Sequence, residues 1–249
     1  MLKIERTEVV GLEAAIREMH YAIAPFENSD GGFGCGNNHE YFCDNCSSAF
    51  HCTSLDTTYN IGTNDFALIR QLRNYSDAEY RKFLRTITVY VDITAPLYWW
   101  TEFNIPIDGM ITNIYGIMNK IENKEFTLED FSYEHLLRPI DVHLPNDSCC
   151  TWSWEGCDII APIDILQETI NMLNQARKMF LETNDEKYWW QMIRLLPNSY
   201  NQKKMVTLNY EILMDLYETH QTNKFDEWST FCNWVEVLPY SELIIIKEN

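Results

Sequence analysis

The chain has 249 residues, of which 46% are hydrophobic and 14% aromatic, so its composition is that of a globular protein with a buried core. Its formal net charge of -18 disfavours general nucleic-acid binding, because an acidic surface repels a polyanion. The sequence contains no apolar run of about 18 residues and no apolar signal-peptide core after Met1, so we expect a cytoplasmic protein without a membrane partner.

The first 62 residues are predicted to form a strand, a helix and a long irregular segment. Residues 2–10 alternate apolar and charged side chains, which indicates a strand. Residues 11–19 place apolar side chains at the spacing of one helix face. Residues 25–62 show neither period and are rich in Gly, Asn, Asp and Cys, so they are predicted to be a Cys-rich loop insertion.

Two helices and a strand are predicted to follow. Thr63-Asn64-Asp65 is a cap signal for a helix over 66–73, and residues 76–79 form a capping-box pattern for a helix that ends at Leu84. Residues 86–93 alternate strictly and are the clearest strand in the sequence. Pro96 ends this strand and can begin a short helix that carries adjacent tryptophans.

The remainder of the chain is predicted to be mainly helical. Residues 139–161 contain prolines, cysteines and tryptophans and are predicted to form an irregular insertion. Helices are predicted over 109–123, from 127 for a short stretch, and over 162–183, 185–195, 205–220 and 225–235. Helices outnumber strands without βα alternation and without an internal linker, so we predict a single α+β domain over 1–249.

The Cys-rich loop contains a cluster of potential metal ligands. Cys43 and Cys46 have the spacing that tetrahedral zinc favours, and Cys35 and Cys52 lie close by in the sequence. These four cysteines are the predicted zinc ligands, although a histidine of the loop can replace Cys52 in the set. Reduced thiols in a loop that binds no metal are the alternative.

Several segments together resemble the flavin-dependent thymidylate synthases and their phage-type relatives. The segment Glu79–Trp100 runs through a strand into a Trp-Trp helix, and Leu195–Tyr200 contains a Leu-Pro turn. Thr207–His220 and Asp226–Trp228 resemble two helical motifs of the family in the same order. The resemblance implies a helix-rich α+β fold with a small antiparallel sheet and a homo-oligomer, either a tetramer or a dimer. It also implies a cleft able to hold FAD and dUMP, and reductive methylation of dUMP with methylenetetrahydrofolate and NADPH.

The sequence departs from this family where the family binds phosphate. Its Arg-His-Arg signature corresponds here to Glu102, Phe103 and Asn104, and its substrate-side arginine corresponds to Glu211. Arginine forks bind phosphate through charge and bidentate geometry, whereas a carboxylate repels it. We therefore predict a diverged, phage-encoded protein that binds a nucleotide without making thymidylate and can sequester it, including a host defence signal. The alternatives are a flavin-dependent enzyme acting on a dUMP-like nucleotide and a non-catalytic assembly protein. No catalytic residue is assigned.

The predicted nucleotide site combines basic clusters with motif positions. One cluster precedes the predicted strand, and another flanks the Leu-Pro turn, where hydroxyl groups can donate to a phosphate or ribose. The predicted nucleotide-binding residues are Arg81, Lys82, Arg85, Trp100, Glu102, Asn104, Arg194, Ser199, Tyr200, Lys203 and Asn209. Surface solvation is the alternative role of the basic residues.

The tryptophan pair has two interpretations. Neighbouring helix residues point about 100° apart, so one of Trp99 and Trp100 is expected to pack inward while the other faces a cleft or a neighbouring subunit. The first interpretation is core and subunit interface. The second is a stacking surface for a flavin or a base.

Overall fold

The computed structural model describes residues 1–23, 26–33, 59–73, 78–103, 111–112, 121–138 and 161–245. Most of the predicted Cys-rich insertion over 25–62 and of the irregular insertion over 139–161 therefore lies outside the described residues, as does most of the helix predicted over 109–123.

The described elements are helices and short strands. The strands are β1 (Lys3–Val10), β2 (Gly32–Phe33), β3 (Tyr59–Asn60), β4 (Thr88–Pro96), β5 (Ile111–Thr112) and β6 (Asn201–Asn209). The α-helices are α1 (Leu12–Ile23), α2 (Thr63–Arg73), α3 (Leu97–Phe103), α4 (Pro162–Thr183), α5 (Glu186–Leu195), α6 (Tyr210–His220) and α7 (Asp226–Glu236). Short 3-10 helices span Phe26–Asn28, Ala78–Thr86, Leu128–Asp130 and Ser241–Leu243. The predicted helix-rich α+β class is confirmed.

The chain groups into two compact units that interleave along the sequence. The first unit comprises Met1–Lys3, Thr94–Ile105 and Ile114–Lys204, and the second comprises Ile4–Ile93, Pro106–Asn113 and Met205–Asn249. Because neither unit is one continuous stretch, this division is not a boundary between consecutive domains. The single domain expected from the sequence stays a prediction.

The sheet is small and mixes neighbours that are distant in sequence. In the described part of the chain, four strands follow the order β1-β4-β6-β5, and β2 pairs with β3 separately. β5 runs antiparallel to β6 with Ile111 opposite Thr207, and β2 runs antiparallel to β3. Val89, Val91 and Ile93 are all buried, so the strict alternation of β4 marks one covered face of the strand.

The core of the second unit lies among its helices. α1 buries Leu12, Ala15, Ile16 and Met19, which is the face predicted from the sequence, and it packs against the 3-10 helix Ala78–Thr86. The same 3-10 helix also packs against α2 and α6, so one short element connects three helices of this unit.

The core of the first unit forms around α4 and α5. α4 begins at Pro162, where the missing N–H of proline costs no helical hydrogen bond, and the Asp164 carboxylate accepts the Ala161 amide at 2.9 Å. The shared core is an apolar cluster of residues from α4, α5 and the segment before them: Ile121, Phe126, Phe131, Leu166, Ile170, Leu173, Ala176 and Met192.

Three predicted helices differ in the structure. Residues 205–209 belong to β6, because Val206 and Leu208 face inward at strand spacing, and the helix begins only at Tyr210. Ile111 and Thr112, inside the helix predicted over 109–123, pair with β6 as β5. The helix predicted over 76–84 is described as a 3-10 helix from Ala78 onward.

Among the described residues, no helix combines the length and the apolar composition needed to span a membrane.

Candidate functional site

The predicted nucleotide-binding residues are distributed over both compact units. The first unit contains Trp100, Glu102, Arg194, Ser199, Tyr200 and Lys203, and the second contains Arg81, Lys82, Arg85 and Asn209. Asn104 and the predicted zinc ligands Cys35, Cys43, Cys46 and Cys52 lie outside the described residues.

Both tryptophans of α3 are buried, which corrects the expectation that one of them faces outward. Trp99 is 0% exposed and Trp100 is 2% exposed. Trp99 stacks on Phe103 with ring centroids 4.6 Å apart, and Trp100 meets both rings edge-on. The α3 sequence is apolar on more than one face, so neighbouring side chains 100° apart can both find a core partner. Neither tryptophan of α3 therefore has an open face on which a ligand could stack. Glu102, which lies two residues after Trp100, is half-buried.

A buried lysine, Lys204, lies over the ring of Trp100. The indole Nε1 donates to the Gln202 carbonyl oxygen at 2.9 Å, which fixes the ring against β6. The Lys204 Nζ lies 4.3 Å from the Trp100 ring centroid, in the range of a cation–π contact. Lys204 is only 7% exposed, and burial lowers the pKa of its ammonium group. The adjacent predicted residue Lys203 is exposed instead.

The Leu-Pro turn holds the start of α3 through backbone hydrogen bonds. The amides of Leu97 and Tyr98 donate to the carbonyl oxygens of Tyr200 at 3.0 Å and Asn198 at 3.2 Å. The Ser199 carbonyl oxygen accepts the Ser132 amide at 2.8 Å. The backbone of the predicted pair Ser199 and Tyr200 therefore has a structural role.

The Tyr200 ring also packs into the core of the first unit. It meets Phe131 edge-on with a centroid separation of 5.5 Å, and Phe126 at 6.1 Å. Burial, with a further contribution from Asp130, raises the pKa of the Tyr200 hydroxyl. The half-buried Ser199 side chain remains a predicted hydrogen-bond donor to a ligand.

Arg194 lies on the exposed side of α5. Its guanidinium carbon is 5.7 Å from the ring centroid of Trp190, which is itself 46% exposed. An arginine stacked on an exposed tryptophan keeps its donors available, because the contact uses the face of the guanidinium. Arg194 is thus an accessible cation of the first unit.

The basic cluster of the second unit is largely neutralised by the chain itself. Lys82 Nζ lies 2.5 Å from Glu79 Oε2 on the same 3-10 helix. Arg85 binds Glu211 of α6 through both Nε and Nη2, and the Nη2–Oε1 distance is 3.3 Å. The sequence resemblance leads us to expect an arginine at position 211, whereas Glu211 is a carboxylate that pairs with Arg85.

Further carboxylates surround this cluster. Burial raises the pKa of Asp215, and the neighbouring carboxylates Glu211 and Glu218 add to the increase, although Arg81 and Arg85 oppose it. The balance of charge beside the two arginines is therefore acidic. An anionic ligand would meet repulsion here as well as attraction.

Asn209 has a clear structural role in the second unit. Its side-chain oxygen accepts the Ile212 amide at 2.9 Å and caps the first turn of α6. The residue is 9% exposed, so only its amide nitrogen is left for a ligand. Its role in nucleotide binding stays a prediction.

Among the residues that the structure describes, no group of three or more His, Cys, Asp or Glu side chains is arranged to hold a metal ion. The zinc site predicted in the Cys-rich loop lies outside this part of the chain and stays a prediction.

Lys204 is the residue that sequence reasoning did not select. Lys204, Val206 and Leu208 alternate on the covered face of β6, and this period of two was the available signal. The helix predicted over 205–220 hides this period, so the sequence does not indicate the direction of the Lys204 side chain.

Comparisons with known proteins identify the fold. No family profile and no curated protein sequence matches the chain. Among solved structures, the chain resembles a flavin-dependent thymidylate synthase from Helicobacter pylori complexed with FAD and dUMP, with a TM-score of 0.57 and 13% identity over 97% of each chain. A second structure of that enzyme with FAD and dUMP gives a TM-score of 0.56 and 13% identity over 98% of this chain and 96% of the other. The fold expected from the motifs is thus confirmed.

Proposed function

We propose that this chain binds a nucleotide or a nucleotide-derived small molecule on a thymidylate synthase-like fold, and that it does not carry out the reaction usual for that fold. The observation that carries the proposal is the bidentate pair between Arg85 and Glu211. It occupies positions where the sequence resemblance leads one to expect cations facing a phosphate.

The pair matters for its charge and geometry more than for its contribution to stability. The Arg85 side chain is 55% exposed, and ion pairs of this kind contribute about 0–1 kcal/mol after solvent screening. Stability alone therefore gives little reason to keep Glu211. Its carboxylate occupies the fork of Arg85, which would otherwise match a phosphate, and adds a negative charge beside it. Both effects weaken dUMP binding in the parental manner.

The retained fold supports a nucleotide-type ligand. The two similar structures were solved with FAD and dUMP. In this chain the first unit still offers an accessible cation, Arg194, and a hydroxyl donor, Ser199, beside the Leu-Pro turn. We propose that the ligand is sequestered and not converted, as a phage-encoded protein would do with a host signal.

FAD fits the described residues poorly at the position expected for stacking. Trp100 is 2% exposed, and its ring is already in contact with Trp99, Phe103 and Lys204. A flavin ring therefore has no access to it. Flavin chemistry remains the alternative function, and it would require a rebuilt site elsewhere in the fold.

The first experiment is the absorbance spectrum of the purified protein. A colourless protein is expected, and stoichiometric bound flavin, seen near about 450 nm as for oxidised flavins, would contradict the proposal. A thermal-shift panel of pyrimidine, purine, cyclic and ADP-ribose nucleotides should then contain at least one that raises the melting temperature. No shift with any nucleotide would favour the assembly protein instead.

A charge variant tests the role of the ion pair. Glu211→Gln removes the negative charge and frees Arg85, so it should strengthen the binding of phosphate-bearing nucleotides. Glu218→Gln is the matched control, because Glu218 is an exposed carboxylate of the same helix that pairs with neither arginine in the described contacts. Equal effects of the two variants would show that only the net charge of the chain matters.

Two further predictions are decided independently. Metal analysis after gel filtration should find one zinc per chain if the Cys-rich loop holds it. Light scattering during the same gel filtration measures the predicted dimer or tetramer.

A further inference from the structure

Lys204 is a buried cation on the covered face of β6. It shares the covered side of β6 with Val206 and Leu208, and only 7% of it is exposed. Lysine is among the residues least often buried without a partner, because its charge loses hydration. The position therefore calls for a compensating interaction.

The described contacts supply only part of that compensation. The ammonium nitrogen lies 4.3 Å from the Trp100 ring centroid, and no carboxylate of the described residues forms an ion pair with it. Trp100 is held rigidly, since its Nε1 donates to Gln202 and its ring packs against Trp99 and Phe103. A cation–π contact engages one side of an ammonium group and satisfies none of its N–H donors with an oxygen.

The absence of a carboxylate at this place is notable in such an acidic chain. The protein has 37 Asp and Glu residues against 19 Lys and Arg. A single substitution to Asp or Glu could supply an acidic partner for this lysine, yet none of the described carboxylates forms an ion pair with it. Lys204 keeps 7% of its surface exposed, so the residue is not sealed from solvent.

We propose that Lys204, positioned by Trp100, is the anchor of a binding site for the oxyanion of a small ligand, a phosphoryl or carboxylate group that completes the charge balance. Trp100 orients the ammonium and does not donate to the ligand, because its one N–H is already used. The site deepens the proposed function, because Lys204 is the positive charge that a nucleotide phosphate would contact. It rests on the proposed function only in naming a nucleotide as the source of the oxyanion.

The test compares Lys204 with Lys178, an exposed lysine of α4 in the same unit and outside the predicted nucleotide site. Lys204→Met replaces the buried lysine by an apolar side chain of similar length, and Lys178→Met makes the same change at an exposed position. Thermal shifts are measured with inorganic phosphate, acetate and uridine monophosphate. The wild type and Lys178→Met should be stabilised by at least one of them, and Lys204→Met should lose that stabilisation with at least a tenfold weaker apparent affinity.

The melting temperature without ligand separates a binding role from a structural one. Lys204→Met should melt at the same temperature as the wild type or higher, because it removes a buried charge that lacks a counter-charge. A lower melting temperature together with an unchanged ligand shift would show that the lysine is structural and would overturn the proposal. No shift of the wild type with any of the three anions would overturn it as well.

A labelling experiment decides the question if Lys204→Met does not fold. The wild type is acetylated briefly with and without each anion, and fragment mass spectra compare Lys204 with the exposed Lys178 as the internal reference. Selective protection of Lys204 supports the site, and equal labelling in all conditions refutes it. Protection by phosphate without any effect of nucleotides would leave the site standing and reject the proposed nucleotide. A nucleotide-induced rise in melting temperature that persists in Lys204→Met would support nucleotide binding and refute the Lys204 site.

Discussion

The buried carboxylate of Asp65 offers the sharpest test of what holds the second unit together. Asp65 is 0% exposed, and its Oδ1 lies 2.6 Å from Nε2 of His20, which is 3% exposed. Its Oδ2 accepts the Ser29 hydroxyl at 2.7 Å and the Gly31 amide at 3.1 Å. One carboxylate therefore joins α1, α2 and the described start of the insertion predicted over 25–62.

Asp65→Ala should cost at least about 1–3 kcal/mol of unfolding free energy, the penalty for leaving an enclosed polar group without its hydrogen-bond partner. Most of the loss comes from His20, because its ring is enclosed and cannot be rehydrated, whereas Ser29 and Gly31 are half-buried and can turn to water. Asp65→Asn keeps one oxygen acceptor and should fall between the alanine variant and the wild type.

The neighbouring Asp30 is the matched control. Its carboxylate accepts the amides of Asn64 and Asp65 at the start of α2, so Asp30→Ala removes a helix cap worth about 1 kcal/mol. Urea unfolding followed by circular dichroism gives the total effect, and amide hydrogen exchange within α2 gives the local effect without assuming that both units unfold together. If Asp65→Ala costs no more than Asp30→Ala, the buried network does not stabilise the fold as argued.

Three further predictions follow from single positions. Gly11 has a φ of 93°, and an added Cβ would lie 2.2 Å from the Thr86 carbonyl oxygen. Gly11→Ala should therefore lower the free energy of unfolding by at least about 1–3 kcal/mol. An unchanged urea midpoint would contradict this prediction. Burial raises the pKa of Cys232 to about 11, so its thiol should resist iodoacetamide at neutral pH until urea unfolds the chain, as peptide mass spectra would report. Burial opposes ionisation of Asp130, but hydrogen bonds led by that from Lys124 outweigh it and lower its pKa. The stability that Asp130 contributes is therefore complete above the ordinary carboxyl pKa and is lost as the pH falls through the folded-state pKa. Asp130→Asn should flatten this acid dependence, and an identical pH profile of the variant would refute the assignment.

Local signals were sufficient where an element's own residues determine it. The helix predicted over 162–183 coincides with α4, because a proline at the first position and one apolar face are both local properties. The strict alternation of 86–93 likewise located β4 to within a few residues. The prediction failed for β6, whose first inward position is Lys204 and whose remaining residues resemble the start of α6. Its strand conformation depends on pairing with β4 and β5, which are distant in sequence.

The candidate site was predictable only in outline. Ordered motifs predicted the fold, which the comparison with solved structures confirms, but the correspondence of Glu211 to a family position stays a prediction. The burial of each side chain and its interaction partners were not predictable. Two adjacent tryptophans became fully buried, and Arg85 acquired a carboxylate partner 126 residues away in sequence. Burial and long-range pairing depend on neighbours in space, which a single sequence does not specify.

Stability alone explains neither the carboxylate of Glu211 nor the buried lysine Lys204. The Arg85–Glu211 pair is partly exposed, so it contributes too little to stability to explain a carboxylate at that position. Lys204 is buried and forms no ion pair with a carboxylate of the described residues, so stability does not explain this lysine either. Each residue therefore makes its own prediction for anion binding by its own unit. Glu211→Gln should strengthen the binding of phosphate-bearing ligands beside Arg85, and Lys204→Met should weaken the binding of an oxyanion beside Trp100. Weaker binding by Glu211→Gln would refute the first assignment, and unchanged binding by Lys204→Met would refute the second.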